Sequence, residues 1–383
     1  VAGTHGKTTT TSLSASLLDV AGFDPTVVNG GIINAYNTNA RLGTGDWAVV
    51  EADESDGSFV KLPVTIGIIT NIDPEHMEYY KNFENLKNHF MTFLNNIPFY
   101  GLGILCSDHP VVAEIAKTNT NRRIVTYGLK DDADIKGFNL RYYDDRIVFD
   151  VDIKPTTVKT RLNLISKSNN VEVMPDRLKD FSIPMMGEHN VQNALSTIAI
   201  ARELGIPDHV LRKAFDSFKG VKRRFTITGV VNGVKIVDDY AHHPVEIQAV
   251  INAAKNSCKG KVISVIQPHR YTRLRDLFED FALCLKGSDK VIIAPVYAAG
   301  EEPIEKINSH ELAKVVREKG FEAYEVEDQQ DLTLKIADIA KNGDIVLCMG
   351  AGSITNWANF LPSSLSKIKQ DSVGFEKEFI LKA

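Results

Sequence analysis

Short, continuously apolar runs alternate with longer amphipathic stretches along most of this chain. Trp47-Ala48-Val49-Val50, Val64–Thr70, Gly103–Cys106 and Arg123–Tyr127 are runs of the first kind. Their unbroken apolar character predicts strands buried on both faces, as in a parallel sheet. Helical patterns lie between them. In the first, Leu13, Leu17, Val20 and Ala21 fall on one face and Gly22 marks the end. Phe83–Leu94 forms a second. Gly187 opens another that runs through Leu204 and stops at Gly205, and Pro207 starts a helix to Phe218. Two stretches break the rhythm. Val27–Thr44 is rich in Asn and Gly and predicts a loop. From Ile135 to about Ile183, short alternating strands with charged turns such as Asp144-Asp145 predict an antiparallel β insert on the α/β core.

After the basic, glycine-containing segment Phe218–Arg224 the pattern restarts. Phe225–Val231 and Val234–Val237 flank Asn232-Gly233, a two-residue hairpin turn. Strands at Val262–Ile266, Val291–Val296, Ala323–Val326 and Ile345–Met349 then alternate with helices starting near Pro244, Tyr271, Ser309, Asp331 and Ser353. That alternation predicts a Rossmann-like, doubly wound α/β domain. A chain of 383 residues is long for one domain. The expected division is a P-loop ATPase-type α/β domain with its antiparallel β insert over residues 1–221, then the doubly wound α/β domain over residues 222–383.

Composition narrows the class. Hydrophobic residues at 43% and charged residues at 24% are ordinary for a globular protein. A net charge of −5 argues against a nucleic-acid footprint. No apolar run is long enough to span a bilayer. Cys106, Cys258, Cys284 and Cys348 lack Cys-x-x-Cys spacing. This favours reduced thiols in a cytoplasmic protein over a metal site or a disulfide pair.

The candidate chemistry starts at Gly3-Thr4-His5-Gly6-Lys7-Thr8-Thr9-Thr10, which opens the first helix. A Gly-x-x-Gly-Lys-Thr turn at a helix N-terminus cradles phosphate, with Lys7 reaching the β/γ-phosphates and the Thr8 hydroxyl on Mg²⁺. The fuller motif has a further glycine where Val1 stands. Such a loop normally follows a strand. Only Val1 and Ala2 precede it here, so the numbering reads as starting inside a longer protein, with a loosened cradle and little turnover expected of residues 1–383 alone. Glu51-Ala52-Asp53-Glu54-Ser55-Asp56 places carboxylates at a strand end, and Mg²⁺ takes hard oxygen ligands. Glu51, nearest the strand, is the first choice; Asp53, Glu54 and Asp56 fit a solvated acidic turn equally well. His76, on the strand-end loop Asn71–His76, is placed to hold a second metal beside a phosphate site.

In the second domain, Asp238–Pro244 and Gln267–Arg273 are polar strand ends. Ligands of open α/β sheets bind at such ends. Arg270 and Arg273, three apart, are expected to share one helix face and to fork onto a carboxylate. Gly350-Ala351-Gly352-Ser353 reads as a tight strand–helix connection.

Together, Gly3–Thr10, Glu51–Phe59, Thr70–His76, Gly187–Asn193, Asp238–Pro244 and Gln267–Arg273 resemble the Mur ligases of peptidoglycan synthesis, and the likeness covers essentially the whole chain. The strings Tyr240-Ala241-His242-His243 and Gln267-Pro268-His269-Arg270-Tyr271-Thr272-Arg273 resemble the members that act on L-alanine. The resemblance implies ATP and Mg²⁺ as cofactors, and UDP-N-acetylmuramate and L-alanine as substrates. It places the ATP phosphates on Gly3, Thr4, His5, Gly6, Lys7, Thr8 and Thr9, and metal on Thr8, Glu51 and His76. His189, Asn190 and Asn193 would line the adenine site, and Asp239 would reach the ribose. His242, Arg270 and Arg273 would meet L-alanine and the muramyl carboxylate. The family's N-terminal UDP-binding domain has no counterpart in these residues. A sister ligase attaching a recycled murein peptide and a phosphotransferase that stops at phosphoryl transfer are the alternatives.

Overall fold

The computed structural model of the protein describes residues 1–119, 121–154 and 176–380. The part of the expected β insert over residues 155–175 lies outside these. The chain divides into two compact units, Val1–Lys222 and Arg223–Ala383.

The first unit carries strands β1 (Thr26–Ile33), β2 (Thr38–Arg41), β3 (Ala48–Val50), β4 (Ile66–Ile69), β5 (Leu102–Cys106), β6 (Ile124–Gly128), β7 (Ile135–Tyr142), β8 (Ile147–Ile153) and β9 (Arg177–Ile183). Its helices are α1 (Lys7–Val20), α2 (Met77–Tyr80), α3 (Phe83–Asn95), α4 (Pro110–Thr118), α5 (Glu188–Leu204) and α6 (Asp208–Asp216). One sheet has the order β2-β1-β3 and the other runs β4 to β9 in sequence. Val1 and Ala2 join them. The Val1 nitrogen donates to the Val50 carbonyl at 2.8 Å, and the Ala52 N–H to the Val1 carbonyl at 2.7 Å. On the other side the Ala2 N–H donates to the Ile68 carbonyl at 2.8 Å, and the Ala2 carbonyl accepts from Thr70 N–H at 3.1 Å. These two residues hold the strand position between β3 and β4, so the glycine-containing turn after them keeps its register. Strands β4 to β7 pair in parallel, and β7, β8 and β9 pair antiparallel. The antiparallel strands thus extend the parallel sheet at its edge.

The region expected as a loop, Val27–Thr44, is instead mostly β1 and β2, an antiparallel pair whose register shifts between Val28 and Ile33. The glycines there serve close approach. A Cβ on Gly30 would stand 2.8 Å from Glu51 Oε1, and one on Gly31 would stand 2.8 Å from Thr8 Cγ2.

Helix α1 is buried on nearly every side from Thr8 to Leu18, although Thr and Ser are indifferent helix formers. Several of its hydroxyls find partners inside the fold, while Thr11 Oγ1 is buried with none among the described residues. Ser12 Oγ donates to the Thr8 carbonyl at 2.7 Å, Ser14 Oγ to Thr10 at 2.8 Å, and Thr10 Oγ1 to Asn193 Oδ1 at 3.1 Å. Leu13, Leu17, Ile104, Phe149, Leu195, Ile198 and Phe215 share one apolar cluster, and Phe59, Leu86, Phe90, Phe93 and Leu105 share another.

The second unit contains β10 (Thr226–Val231), β11 (Val234–Asp239), α7 (Pro244–Ser257), β12 (Val262–Ile266), α8 (Tyr271–Asp276), α9 (Phe278–Leu283), β13 (Lys290–Ile293), α10 (Ser309–Glu318), β14 (Ala323–Glu325), α11 (Gln329–Ile339), β15 (Ile345–Met349) and α12 (Ile354–Ile380). The strand order is β10-β11-β15-β12-β13-β14, parallel except for the β10–β11 hairpin. Alternate residues serve opposite faces. Val237, Val262, Ile266, Leu347 and Met349 enter one cluster with Ile247, Ile251 and Phe281. Ile236, Ile263, Val265, Val346 and Cys348 enter another with Leu332, Ile336, Ala358 and Leu361. Helices therefore cover both faces, which is the doubly wound arrangement.

Phe181 tests the first core. It is fully buried, with ring centroids 5.7 Å from Phe149 and 5.2 Å from Phe215. Phe181→Ala should cost about 3–5 kcal/mol in urea unfolding; a loss below about 1 kcal/mol would show that these rings are not a packed core.

Candidate functional site

Three carboxyl-terminal ends lie side by side in the first unit: Glu51 after β3, the loop after Ala2, and Asn71 after β4. The sheet order brings them together although they are far apart in sequence. Gly3 has φ 132° and Gly6 has φ 81°. A Cβ at Gly3 would stand 2.0 Å from Thr70 Oγ1, and one at Gly6 2.8 Å from Asn193 Oδ1. Glycine is thus required at both positions for conformation and for space. The loop is laced to the β4 end. His5 N–H donates to Asn71 Oδ1 at 2.7 Å, Thr70 Oγ1 donates to the His5 carbonyl at 2.6 Å, and Asp73 N–H donates to Thr4 Oγ1 at 2.9 Å. Asp73 also stands 3.4 Å from His5 Nε2 and 3.3 Å from His109 Nε2. Burial pushes its carboxyl up, but the hydrogen bonds and charges of the two imidazoles win and hold it well below the usual range.

Lys7 donates to the Gly3 carbonyl at 2.7 Å, the Thr4 carbonyl at 3.2 Å and Glu54 Oε2 at 2.7 Å. Burial works against both members of this ion pair. For Lys7 the carboxylates of Glu54, Glu51 and Asp53 outweigh it and keep the ammonium above the ordinary lysine value. For Glu54 burial wins over Lys7 and pushes the carboxyl up. Glu54 is 1% exposed, so it is no solvated turn residue, as its acidic neighbourhood suggested. Tyr80 donates its hydroxyl to the Glu54 backbone carbonyl and fixes it from behind. Removing one partner of such a buried pair costs about 3–5 kcal/mol. Asp53 and Asp56 do fit the turn reading: each accepts a local backbone N–H, from Ser55 and Ser58.

The metal candidates fall into two groups. Thr8 Oγ1 donates to Glu51 Oε1 at 3.1 Å, and Gly30 N–H to Glu51 Oε2 at 2.7 Å. A hydroxyl and a carboxylate this close are hard oxygen donors suited to Mg²⁺. His76 stands apart from them, with Glu54 and Glu75, their ligand atoms all within 4.8 Å of one another. The adenine candidates lie at α5. Asn193 accepts from Thr10 and donates to Asn190 Oδ1 at 3.2 Å, and Asn190 donates to the Met186 carbonyl at 2.7 Å. Both Asn side chains are buried against the back of the loop, and His189 is half-buried. Thr4 and Thr9 are buried within the loop and the start of α1.

In the second unit Asp239 ends β11. Its Oδ2 accepts from Phe225 N–H at 2.7 Å and its Oδ1 from Ala241 N–H at 2.8 Å. Burial nonetheless pushes its pKa up to about 6, against Arg224 and these two donors. His242 Nδ1 donates to the Tyr240 carbonyl at 2.9 Å and lies 3.5 Å from Glu246 Oε2. Its ring meets His269 edge-on at 5.8 Å, and His269 stacks on Tyr297 at 5.6 Å. Burial, helped by the nearby cations His242, Arg273 and Arg270, pushes His269 down to about 4. The neutral ring accepts from Arg273 Nη1 through Nδ1 at 3.3 Å.

Arg270 does not share a helix face with Arg273. It precedes α8 with φ 68° and ψ 139°, a region that residues other than glycine rarely take, and its N–H donates to the Tyr297 carbonyl at 2.9 Å. The Gly350–Ser353 turn is the expected tight connection. Gln267 Nε2 donates to Ser353 Oγ at 3.1 Å, and Gln267 Oε1 accepts from Ile354 N–H at 3.0 Å. Sequence reasoning weighed Glu54 only as one carboxylate of an acidic turn, and gave no role to Glu75, Asp73, His269 or Tyr297. The available signal was their place in strings already singled out, or in the case of Tyr297 just beyond a strand.

Comparison with known proteins places the chain in a family. Residues 1–201 match the Mur ligase middle domain, and residues 223–352 match the Mur ligase glutamate ligase domain. A protein of Agrobacterium fabrum named UDP-N-acetylmuramate–L-alanine ligase is 49% identical over 373 residues, which are 97% of this chain and 76% of that protein. One of the same name from Brucella anthropi is 51% identical over 368 residues, 96% of this chain and 75% of that protein. The crystal structure of UDP-N-acetylmuramate-alanine ligase MurC from Thermotoga maritima superposes with a TM-score of 0.74 at 26% identity, covering 97% of this chain and 74% of that one. With both units matched and half of the residues shared with full-size relatives, the chain belongs to the Mur ligase family.

Proposed function

We propose that this protein joins L-alanine to the carboxylate of UDP-N-acetylmuramate at the expense of ATP, through an acyl phosphate, in the cytoplasmic stage of peptidoglycan precursor synthesis. The observation that carries the reading is the identity of about half of all residues, across both units, with relatives that bear this activity in their names. The same names favour alanine over a recycled murein peptide as the group attached.

The muramyl carboxylate attacks the γ-phosphorus and ADP leaves. The alanine amine then attacks the acyl carbon, loses a proton, and phosphate leaves. Little covalent chemistry falls to the protein in such transfers; positioning and charge neutralisation do the work. In this proposal the N–H groups of Gly3–Thr9 and the Lys7 ammonium take up the charge that develops on the transferring phosphoryl group. Thr8 and Glu51 would hold Mg²⁺, with His76 near a second position. When bound, Mg²⁺ neutralises charge on the β- and γ-oxygens. Asn190 and Asn193, with His189, would line the adenine side, although their carboxamides also brace the loop. Asp239, committed to two backbone donors, would meet the ribose only through its remaining lone pairs. Arg273 and Arg270 would bind carboxylate. His269, neutral and hydrogen-bonded to Arg273, would hold that guanidinium in place, with His242 beside it.

Lys7→Ala in the complete protein should lower turnover by about 10²–10³, the usual worth of one charge-stabilising group. Turnover within a few-fold of wild type, measured as L-alanine-dependent phosphate release, would remove the phosphate role. Arg273→Lys should raise the apparent KM for L-alanine about 10-fold or more while leaving that for ATP within about two-fold, because a charge-assisted fork is worth about 1.5–3 kcal/mol and Lys cannot reproduce it. Equal rises for both substrates would assign Arg273 to holding the fold.

A further inference from the structure

Arg270 stands at the N-cap of α8 and breaks two local rules there. Its backbone lies at φ 68° and ψ 139°, a region that residues with a side chain rarely adopt. An N-cap side chain ordinarily accepts a hydrogen bond from the first turn of its helix. A guanidinium has five donors and no acceptor, and the Arg270 side chain makes no such bond. The start of α8 is thus left without a cap from its own segment. Arg270 is exposed, and its guanidinium makes no hydrogen bond or ion pair among the described residues. Local structure alone would favour glycine or asparagine here.

Both faults are made good by the segment after β13. Tyr297 N–H donates to the Pro268 carbonyl at 2.8 Å, and the Tyr297 carbonyl accepts from Arg270 N–H at 2.9 Å. These two bonds clamp the chain on either side of His269 and hold the Arg270 backbone. The turn that follows passes through Ala299 at φ 52° and Gly300 at φ 88°, and Glu301 N–H closes it on the Ala298 carbonyl at 3.0 Å. This brings Glu301 back onto the start of α8. Its Oε2 accepts from Thr272 N–H at 3.0 Å, and its Oε1 accepts from the Thr272 hydroxyl at 2.6 Å. Glu301 is therefore the missing cap, supplied from a different loop. Burial pushes its carboxyl up, but the Thr272 donors and the charge of Arg270 outweigh it and hold the group below the ordinary glutamate range. Each carboxylate oxygen is turned to Thr272, so the acid caps the helix without closing on the guanidinium.

We propose, on the reading of Arg270 as a carboxylate ligand, that Glu301 is a positioning residue. By capping α8 through Thr272 it holds Arg270 in its strained conformation, with the guanidinium open to a substrate carboxylate. That carboxylate belongs to L-alanine or to the muramyl group. Local rules broken at one residue and repaired from another loop mark a position set by function rather than by folding.

The test uses the complete protein and compares Glu301→Ala, Glu301→Gln, Arg270→Ala and the double variant Arg270→Ala/Glu301→Ala, each checked for folding by thermal melting. Apparent KM values for L-alanine, UDP-N-acetylmuramate and ATP are taken from phosphate release. Glu301→Ala should raise the KM of one carboxylate substrate, L-alanine or UDP-N-acetylmuramate, by about 10-fold or more, with ATP within about two-fold. The substrate affected is the one that Arg270 meets. Glu301→Gln can still accept from Thr272 N–H and donate to its hydroxyl, so it should stay within about three-fold of wild type. In the Arg270→Ala background, Glu301→Ala should add less than about two-fold, because its effect passes through the guanidinium. With Arg270→Ala raising a KM, unchanged KM values in Glu301→Ala overturn the proposal, and so do effects of the two substitutions that multiply. Glu301→Gln as defective as Glu301→Ala also overturns it, since the carboxylate charge would then act on the alanine ammonium directly. If Glu301→Ala does not fold, Thr272→Val, which removes one of the two bonds, decides. The same KM should rise about three-fold, and an unchanged one overturns the proposal. No change of either KM in Arg270→Ala would instead overturn the carboxylate reading of Arg270 itself.

Discussion

A buried ammonium held between one carboxylate and two carbonyls is the interaction on which the first unit depends. Lys7 is fixed by Glu54 and by the turn it belongs to, and each contact requires another part of the fold. Glu54 is in place because Tyr80 holds its carbonyl. The turn is in place because Val1 and Ala2 occupy a strand position between β3 and β4 and because Asn71, Thr70 and Asp73 tie its backbone down. A turn that presents N–H groups and a cation is held here by a dense set of hydrogen bonds and by an α1 buried between the sheet and α5. Such rigidity suits the proposed chemistry, whose main demand is a preorganised positive field.

The second unit follows a different electrostatic logic. Its strand-end loops gather imidazoles and guanidinium groups beside the carboxylates of Asp239, Glu246 and Glu301, and burial there keeps one histidine neutral. His269 stacks on Tyr297 and accepts a hydrogen bond from Arg273. Burial disfavours its protonation, and the charges of His242 and two arginines nearby add to this, so its pKa falls to about 4. The guanidinium keeps its charge and gains a fixed direction, as a carboxylate-binding fork requires. Arg270 reaches its place by an unfavourable backbone conformation, pinned by Tyr297.

Much of the fold was legible in the sequence because its strands are buried on both faces. The runs at Val262–Ile266 and Ile345–Met349 are observed with those same bounds, and the hairpin around Asn232-Gly233 forms where its turn residues stand. Val27–Thr44 was misread because glycines that usually signal loops here make room for Glu51 and Thr8 to approach a strand. Periodicity carries no information about such tertiary approach. The tight turn at Gly3–Gly6 and the helix that starts at Lys7 were legible because glycine spacing dictates them locally. Glu54 was not: in sequence it is one of four acids in a turn, and only burial beneath Tyr80 and pairing with Lys7 distinguish it from Asp53 and Asp56. The helix face assigned to Arg270 and Arg273 failed for a related reason, since spacing of three implies a shared face only if both residues are helical.

The central claim is that phosphoryl transfer here serves amide formation. The most direct test is ADP release from ATP and Mg²⁺ by the complete protein, measured with UDP-N-acetylmuramate present and L-alanine varied, with the amide product quantified alongside. The account predicts sustained ADP release only when L-alanine is present, with one amide formed per ADP. Sustained ADP release that is indifferent to L-alanine, or that leaves no amide, would contradict it and mark the protein as a phosphotransferase.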